Sequence, residues 1–251
     1  MKQYLRLGGA RFKPEMPAPI VARRLRGERN PFKCLKFFGT AGAPMQEYAR
    51  QIGFEAENAG CDRAGAAIVR GVTFSLKPGE ALQLFGPNGS GKSSLLSMFA
   101  GLFAPVEGAL TWASGGARSP TPFENSIFFM GHESSVKPSL TALENLEFWA
   151  RIYGAAKEGV REALCTVGGD DFSGLRASRL SAGQRRRLEL ARSVLANRPV
   201  WLLDEPAAAI DGAGVEIIRQ LTDGHRRRGG ISIIATHDDL GGGFKRLELG
   251  R

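Results

Sequence analysis

The stretch GPNGSGKS, from Gly86 to Ser93, holds three glycines, a lysine and two serines at spacings that suit phosphate chemistry. Its glycines let the backbone curl so that several N–H groups point at one anion. An apolar run precedes the stretch and a helical pattern follows it, so a helix N-terminus adds positive charge at the same place. Lys92 can neutralise β- and γ-phosphate charge, and Ser93 can offer a hydroxyl to Mg²⁺. The stretch therefore predicts a nucleoside triphosphate site, against the alternative of a chance glycine-rich turn.

We predict nucleotide contacts for every residue of this loop and for one residue beyond it. These residues are Gly86, Pro87, Asn88, Gly89, Ser90, Gly91, Lys92, Ser93 and Ser94. Many fold families share such a loop, so it indicates the ligand but does not by itself indicate the reaction.

Two acids, Asp204 and Glu205, end the apolar run WLLDEP. Carboxylates at the end of a buried strand can hold Mg²⁺ and polarise an attacking water. We assign Asp204 to the metal, together with Ser93, and Glu205 to the role of general base. The alternative is an ordinary exposed Asp-Glu pair at a strand end, which the phosphate loop in the same chain disfavours.

A second anion site is predicted in RLSAGQRRRLELAR, residues 179–192. Ser181 and Gly183 lie at the start of a helix, where backbone N–H groups are left without helical partners. A single chain cannot easily bring two phosphate sites to one γ-phosphate. The sequence therefore favours two copies of the chain that face each other.

The elements that must position these groups follow a regular order. Continuous apolar runs predict buried strands, and longer segments between them predict helices. The strands are expected at 54–62, 67–76, 81–86, 126–131, 200–206 and 231–237, and the helices at 92–102, 141–154, 157–168, 181–197 and 214–229. Apolar strands separated by helices imply an α/β fold with a parallel sheet covered on both faces.

The positive charge of the chain is concentrated in its first fifth. Residues 1–53 hold 11 Lys or Arg and 3 Glu, a net of +8 within a total of +9. We separate this segment from a domain at 54–251. A basic arm can contact anionic lipid or nucleic acid. The plainer interpretations are a disordered tail, or upstream sequence that is not translated if Met45 is the start. No apolar run approaches the roughly 18 residues of a membrane helix, and no secretory signal is visible.

The order of these motifs, with AAAID at 207–211 and IIATH at 233–237, resembles the ATP-binding cassette (ABC) ATPases from Phe54 to the C-terminus. LSAGQ has Ala182 where that family usually has glycine. The resemblance implies a P-loop NTPase (RecA-like) parallel-sheet core with an antiparallel β edge and a helical ABC subdomain at about 134–190. It also implies ATP and Mg²⁺ as cofactors and an ATPase activity that is coupled to transport.

The same resemblance implies a head-to-tail sandwich of two subunits around the nucleotide. Ser181, Gly183 and Gln184 of one subunit would cap the γ-phosphate held by Lys92 of the partner subunit. Asp211 would lie at the interface between the subunits.

Two histidines receive different interpretations. His237, in IIATH, would contact the γ-phosphate as a catalytic residue, which the resemblance implies although a histidine after a buried strand is more often structural. His225 lies in the polar stretch DGHRRR, and we expect it to be solvated at a helix end.

The chain departs from the family at two positions. No aromatic residue precedes the second strand, so Arg63 is expected to stack its guanidinium on adenine, or else the base is loosely held. Glu133 occupies the position after SIFFMGH where the family usually has a glutamine near Mg²⁺. Its charge can strengthen metal coordination, repel neighbouring acids or take up a proton, or the side chain can turn away without effect.

The stretch MGHESSVKPSLTALENLEFWARIYG, from Met130, more narrowly resembles the cytochrome c maturation ATPases, the haem exporter A (CcmA) family. That resemblance implies a subunit that drives haem export, or release of a haem chaperone, in c-type cytochrome biogenesis. It implies a peripheral position on the cytoplasmic face of the bacterial inner membrane. The expected partners are a second ATPase subunit and a CcmB-like integral membrane protein, with CcmC-like and CcmD-like proteins as further candidates.

Two alternative functions stay open at this point. The chain could be the ATPase subunit of another small ABC exporter, or a soluble ABC protein that acts on nucleic acid or ribosomes. Because such soluble proteins usually carry two cassettes or a long coiled coil, the single cassette and the lack of a heptad run disfavour the second alternative. No nucleic acid partner is therefore expected.

Overall fold

The computed structural model describes residues 48–63, 66–210, 212–241 and 243–250. The basic segment lies almost wholly outside these residues, so its interpretations and the proposed boundary at 53/54 stay predictions. The strands are β1 (Gly53–Arg63), β2 (Ala66–Leu76), β3 (Ala81–Phe85), β4 (Glu107–Ser114), β5 (Ala117–Ser119), β6 (Ile127–Met130), β7 (Val200–Asp204), β8 (Ile231–Ala235) and β9 (Lys245–Glu248). The α-helices are α1 (Lys92–Phe99), α2 (Ala142–Tyr153), α3 (Lys157–Thr166), α4 (Ala182–Ala196) and α5 (Gly212–Arg227).

Five strands form an all-parallel sheet in the order β6-β7-β8-β3-β9. β7 and β8 are buried at every position, and β3 at all but its last, as expected for strands covered on both faces. Since the strands run in one direction, β3, β7 and β8 end at the same edge, which we call the carboxyl edge. Each of these strands leads into a segment that contains predicted site residues.

Four strands form a separate antiparallel sheet in the order β2-β1-β4-β5. Phe54 on β1 stacks on Trp112 on β4 with ring centroids 4.0 Å apart, and Phe99 on α1 packs edge-on against Phe54. This aromatic cluster belongs to a core shared by both sheets, so α1 is held between them. The predicted fold class is confirmed, and the antiparallel part proves to be a sheet of its own.

The strands β4, β5 and β9 were not predicted from the sequence. β5 and β9 contain three and four residues, too few to show a period of two. β4, with the sequence EGALTWAS, is longer, but only Leu110 and Trp112 mark its buried face, too few positions to show a clear period of two. Pairing with β1 and not local preference places it in the sheet.

The helices α2 and α3 lie within the segment predicted as a helical subdomain, and α4 begins near its end. α2 begins at a capping box in which the side chains of Thr141 and Glu144 accept each other's backbone N–H groups. It ends at Gly154, whose φ of +68° provides the left-handed cap. Among the helices in the described ranges, none is both long and apolar enough to cross a membrane.

The prediction that His225 is solvated is wrong. Its imidazole is fully buried, at 0% exposure, and stacks on Trp201 with ring centroids 4.0 Å apart. Because a carbonyl can only accept, Nε2 donates to the oxygen of Ile231 at 3.0 Å, and Nδ1 accepts from the hydroxyl of Tyr48 at 2.7 Å. Burial lowers the pKa of His225 to about 3. The arginines that follow it made the stretch look polar, while the helix turns the histidine toward the sheet.

Candidate nucleotide-binding and hydrolysis site

The phosphate loop connects β3 to α1 and ends in a left-handed glycine. Gly91 has φ +92°, and a Cβ there would come within 2.3 Å of a methyl group of Val69 and 2.6 Å of one of Ile68. Both the backbone conformation and the contact with β2 therefore require glycine. With no side chain to cap it, the N-terminus of α1 leaves N–H groups available to an anion.

Lys92 is buried, at 6% exposure, although it carries a charge. Its ammonium donates to the carbonyl oxygens of Gly86 at 2.8 Å and Pro87 at 3.2 Å, both in its own loop. It also lies 3.5 Å from Oε1 of Glu205. The lysine thus links the phosphate loop to the acid that follows β7.

Glu205 is held in a strained turn that directs its carboxylate toward the phosphate loop. Oε2 lies 3.1 Å from Nδ1 of His237, so the carboxylate stands between an ammonium and an imidazole. The Glu205 N–H donates to the carbonyl of Ala235 on β8 at 2.8 Å. Its φ of +47° is a left-handed value that residues other than glycine rarely adopt. Backbone strain of this kind concentrates at functional sites.

Asp204 ends β7 and is only 2% exposed. Burial raises the pKa of its carboxyl, a hydrogen bond with the Ser93 side chain opposes that rise, and the charge of Glu205 adds to it. Its Oδ1 is buried and has no hydrogen-bond partner among the described residues. A carboxylate oxygen without a donor, beside a serine hydroxyl, fits a hard cation.

The residues that could hold a metal form a small set. In the part of the chain that the structure describes, no group of three or more His, Cys, Asp or Glu side chains is arranged to hold a metal ion. The candidate donors are the carboxylate of Asp204, the hydroxyl of Ser93 and the exposed carboxylate of Glu133. Mg²⁺ commonly binds one or two carboxylates together with substrate phosphates. This set fits a cation that is shared with a bound nucleotide.

A cavity of about 530 Å³ brings the phosphate loop together with both predicted catalytic residues. Asn88, Gly91, Lys92, Ser93 and Ser94 are among the loop residues that line it. Glu205 and His237 complete one side. Ile68 on β2 also lines it and was not predicted from the sequence.

A second cavity, about 830 Å³, adjoins the first and shares Ser93 and Ser94 with it. Asp204 and Glu133 line it together with Leu102 and Phe103, which are 66% and 39% exposed. His132 lines both cavities, and its charge would lower the pKa of Asp204. The sequence offered one hint of this residue, its position directly after the end of a strand neighbouring β7.

The predicted second anion site lies at the start of α4. Ser181 caps the helix, and its capping box with Gln184 uses the N–H groups of both residues. Gly183 approaches the segment after β7 so closely that a Cβ at this position would lie 2.7 Å from the carbonyl oxygen of Ala209. Among the described residues that line the two cavities, none belongs to this site. The second anion site therefore does not share a cavity with the phosphate loop of its own chain.

Two predicted site residues cannot be placed. Asp211 lies outside the described residues, and Arg63 ends β1 with a side chain that is likewise outside them. Their roles at the subunit interface and at the base stay predictions.

The ABC transporter family model matches residues 69–208 of this chain. A cytochrome c biogenesis ATP-binding export protein CcmA from Bradyrhizobium diazoefficiens is 43% identical over 190 residues, which cover 76% of this chain and 94% of that protein. A solved dimeric bacterial ABC transporter cassette is 25% identical with a TM-score of 0.66, over 78% of this chain and 94% of its own. A structure from Pyrococcus furiosus assigned as an ABC transporter ATP-binding protein has a TM-score of 0.69 over 78% of this chain and 97% of its own, and at 24% identity it supports the fold alone.

Proposed function

The chain belongs to the ABC transporter family, and from that premise we propose that it is the ATP-hydrolysing subunit of a membrane exporter in c-type cytochrome biogenesis. The observation that carries the hydrolytic role is the placement of Lys92, Glu205 and His237 around one cavity at the carboxyl edge. The name of the relative from Bradyrhizobium diazoefficiens supports the assignment to cytochrome c biogenesis.

ATP binding begins at the phosphate loop. The backbone N–H groups before α1 and the Lys92 ammonium hold the β- and γ-phosphates. Ser93 and Asp204 would hold Mg²⁺, with Glu133 on the same cavity wall, and the ion would neutralise phosphate charge. Arg63 is assigned to the face of the base.

Hydrolysis uses the two groups that meet at the carboxyl edge. The ionised carboxylate of Glu205 takes a proton from a water molecule, whose oxygen forms a bond to the γ-phosphorus as the bond to the bridging β–γ oxygen breaks. Nδ1–H of His237 donates to Glu205 and fixes its orientation. Nε2 of the same ring is assigned to the γ-phosphate, to which it can donate only when both ring nitrogens carry a proton, and in that imidazolium form it stabilises the developing charge.

Closure of two subunits completes the site. Ser181, Gly183 and Gln184 at the start of α4 are assigned to the γ-phosphate bound by a second copy of the chain, with Asp211 at the interface. ATP supplies charge that both halves bind, so it favours the closed dimer. Hydrolysis removes that link, and the dimer opens.

The membrane partner is assigned to the larger cavity. Leu102 and Phe103 expose apolar surface there, within the same cavity wall as Glu133 and Asp204, so a docked segment would lie beside the metal site. We assign this surface to a CcmB-like membrane subunit, with CcmC-like and CcmD-like proteins as further members of the complex. This assignment places the chain peripherally on the cytoplasmic face of the inner membrane.

Complementation tests the proposed function. A bacterium that lacks its own CcmA relative receives either this full-length chain or its Lys92→Ala variant, and c-type cytochromes are measured by staining for covalently bound haem. Restoration by the unaltered chain alone supports the proposal. ATP hydrolysis without restoration would assign the chain to another small exporter, and a chain that hydrolyses no ATP would overturn the catalytic role.

A further inference from the structure

Arg186 and Glu189 form an ion pair on α4, in the interior behind the turn that contains Asp204 and Glu205, which we call the catalytic turn. They are 9% and 2% exposed, and Nη1 of Arg186 lies 2.8 Å from Oε2 of Glu189. Removing two charges from water is unfavourable, so a buried pair is weak evidence of a stabilising role. The remaining contacts of the two side chains show what the pair holds.

The Arg186 guanidinium binds the backbone of both acids at the end of β7. Nη2 donates to the carbonyl oxygen of Asp204 and, at 2.8 Å, to that of Glu205, and Nε donates to the latter at 3.2 Å. The Glu205 N–H is already held by Ala235. The left-handed residue is therefore fixed from both sides, by a neighbouring strand and by α4.

The Glu189 carboxylate extends the connection to another loop. Its Oε1 accepts from the backbone N–H of Ser135 at 3.2 Å, in the loop after β6 and two residues beyond Glu133. One turn along α4, Arg192 donates to the Ser135 hydroxyl and, at 3.1 Å, to the hydroxyl of Tyr153 on α2. The pair thus joins the catalytic turn to the loop that lines the larger cavity.

We propose that Arg186 is a positioning residue for ATP hydrolysis, which holds the Asp204–Glu205 turn in register with the phosphate loop, while Glu189 ties that turn to the loop after β6. This inference rests on the proposed role of Glu205 and adds to it. Arg186 is not among the residues that line either cavity, so its loss should slow the chemical step and leave nucleotide affinity unchanged.

The first test separates rate from affinity in the full-length chain. In Arg186→Gln, kcat should fall by about 100-fold, because a misplacement of the reacting groups by about 1 Å has an effect of that size. KM for ATP and the Kd of a fluorescent ATP analogue should stay within about twofold. Arg186→Lys keeps the charge but not the planar fork, so kcat should stay low there too. Unchanged kcat in both variants would overturn the inference.

A second variant distinguishes a loss of positioning from a loss of stability. Arg186→Met/Glu189→Leu replaces the pair by apolar groups of similar size, a change that is often neutral or stabilising for buried pairs. We expect Tm at or above that of the unaltered chain, with kcat still low. If kcat recovers along with Tm, the pair is purely structural and the proposal fails. Arg219→Gln, which breaks the exposed pair with Glu216, is the matched control and should leave kcat unchanged.

Hydrogen exchange tests the connection to the loop. In the apolar double variant, the amides of residues 131–137 should exchange faster, because the Ser135 N–H has lost its acceptor. Unchanged protection there would remove Glu189 from the proposal. Failure of the proposed function is distinguishable, since in that case the unaltered chain itself hydrolyses no ATP. An active chain with an equally active Arg186→Gln variant would overturn this inference alone.

Discussion

Two histidines, one at each edge of the parallel sheet, differ in exposure and in what their ring nitrogens contact. At the carboxyl edge, His237 has a 59% exposed side chain and contacts the carboxylate of Glu205. At the opposite edge, where β7 and β8 begin and which we call the amino edge, His225 is fully buried and has a partner on each ring nitrogen. One imidazole is available to a ligand, and the other is part of the core.

The difference extends to the surroundings of each histidine. The amino edge is closed by stacked rings, and the Tyr48 hydroxyl and the Ile231 carbonyl satisfy the imidazole. The carboxyl edge holds a buried ammonium, a left-handed glutamate and a carboxylate oxygen without a donor. Such features cost stability and persist where they serve chemistry. Substitutions at the carboxyl edge should therefore change turnover, and substitutions at the amino edge should change stability.

Glu205→Gln should have the largest effect on turnover. Loss of a general base lowers kcat by about 100-fold to 10,000-fold, while ATP still binds both halves of the site. The variant should accumulate as an ATP-bound dimer, measured by size-exclusion chromatography with light scattering. Lys92→Ala/Glu205→Gln, which cannot hold the phosphates, is the control and should stay monomeric. A Glu205→Gln chain that remains a monomer with saturating ATP would contradict the closed-dimer mechanism.

Lys92→Ala should abolish most turnover at the same edge without loss of fold. Removing one preorganised charge from a phosphate site costs about 100-fold to 1,000-fold in rate. Tm should not fall, because the change also removes a buried ammonium. Lys157→Ala, at an exposed position at the start of α3, is the control and should behave like the unaltered chain. A large fall in Tm would show that the lysine stabilises the fold.

Ser181→Asp should also lower turnover, although Ser181 lies outside both cavities. Aspartate is a good N-cap, so the helix should stay formed, but its charge would repel a γ-phosphate. Thr141→Asp, at the capping box of α2, is the matched control and should retain activity.

Mixing the Ser181→Asp and Lys92→Ala variants tests whether each site is built from two subunits. Each mixed dimer contains one site with an intact phosphate loop and an intact second anion site, so activity should return to about a quarter of the unaltered level. Mixed samples that stay inactive would contradict the head-to-tail arrangement.

Sequence reasoning succeeded where a motif has its own local geometry. GPNGSGKS specifies its loop through glycines, and the strand-end acids follow from a continuous apolar run. It failed for His225, since the pattern DGHRRR does not show which side of α5 meets Trp201. It also missed Arg186, because the partners of that guanidinium are backbone carbonyls 18 and 19 residues away along the chain. Contacts made only by tertiary packing leave no local period or motif to read.

His225→Phe should change stability at acid pH and leave kcat unaltered. Burial lowers the pKa from 6.5 to about 3, so between these values the unfolded chain binds a proton that the folded chain excludes. Stability therefore falls as pH decreases below about 6.5, by about 2 kcal/mol at pH 5. Phenylalanine can retain the stack on Trp201 but cannot titrate, so Tm should depend less on pH between 7.5 and 4.5. An equal pH dependence in both proteins would contradict this account.

The smallest expected effect concerns the base. The described cavity lining offers Ile68 but no Phe, Tyr or Trp side chain on which a base could stack. Discrimination between ATP and GTP should therefore be weak, below about tenfold, because an exposed cation–π contact contributes only about 0.5–1 kcal/mol. Competition of GTP against ATP in the hydrolysis assay measures this discrimination. Arg63→Ala should weaken binding of both nucleotides by a similar small factor, with Arg118→Ala, on the exposed strand β5, as the control. A strong preference for ATP that survives Arg63→Ala would show that other groups hold the adenine.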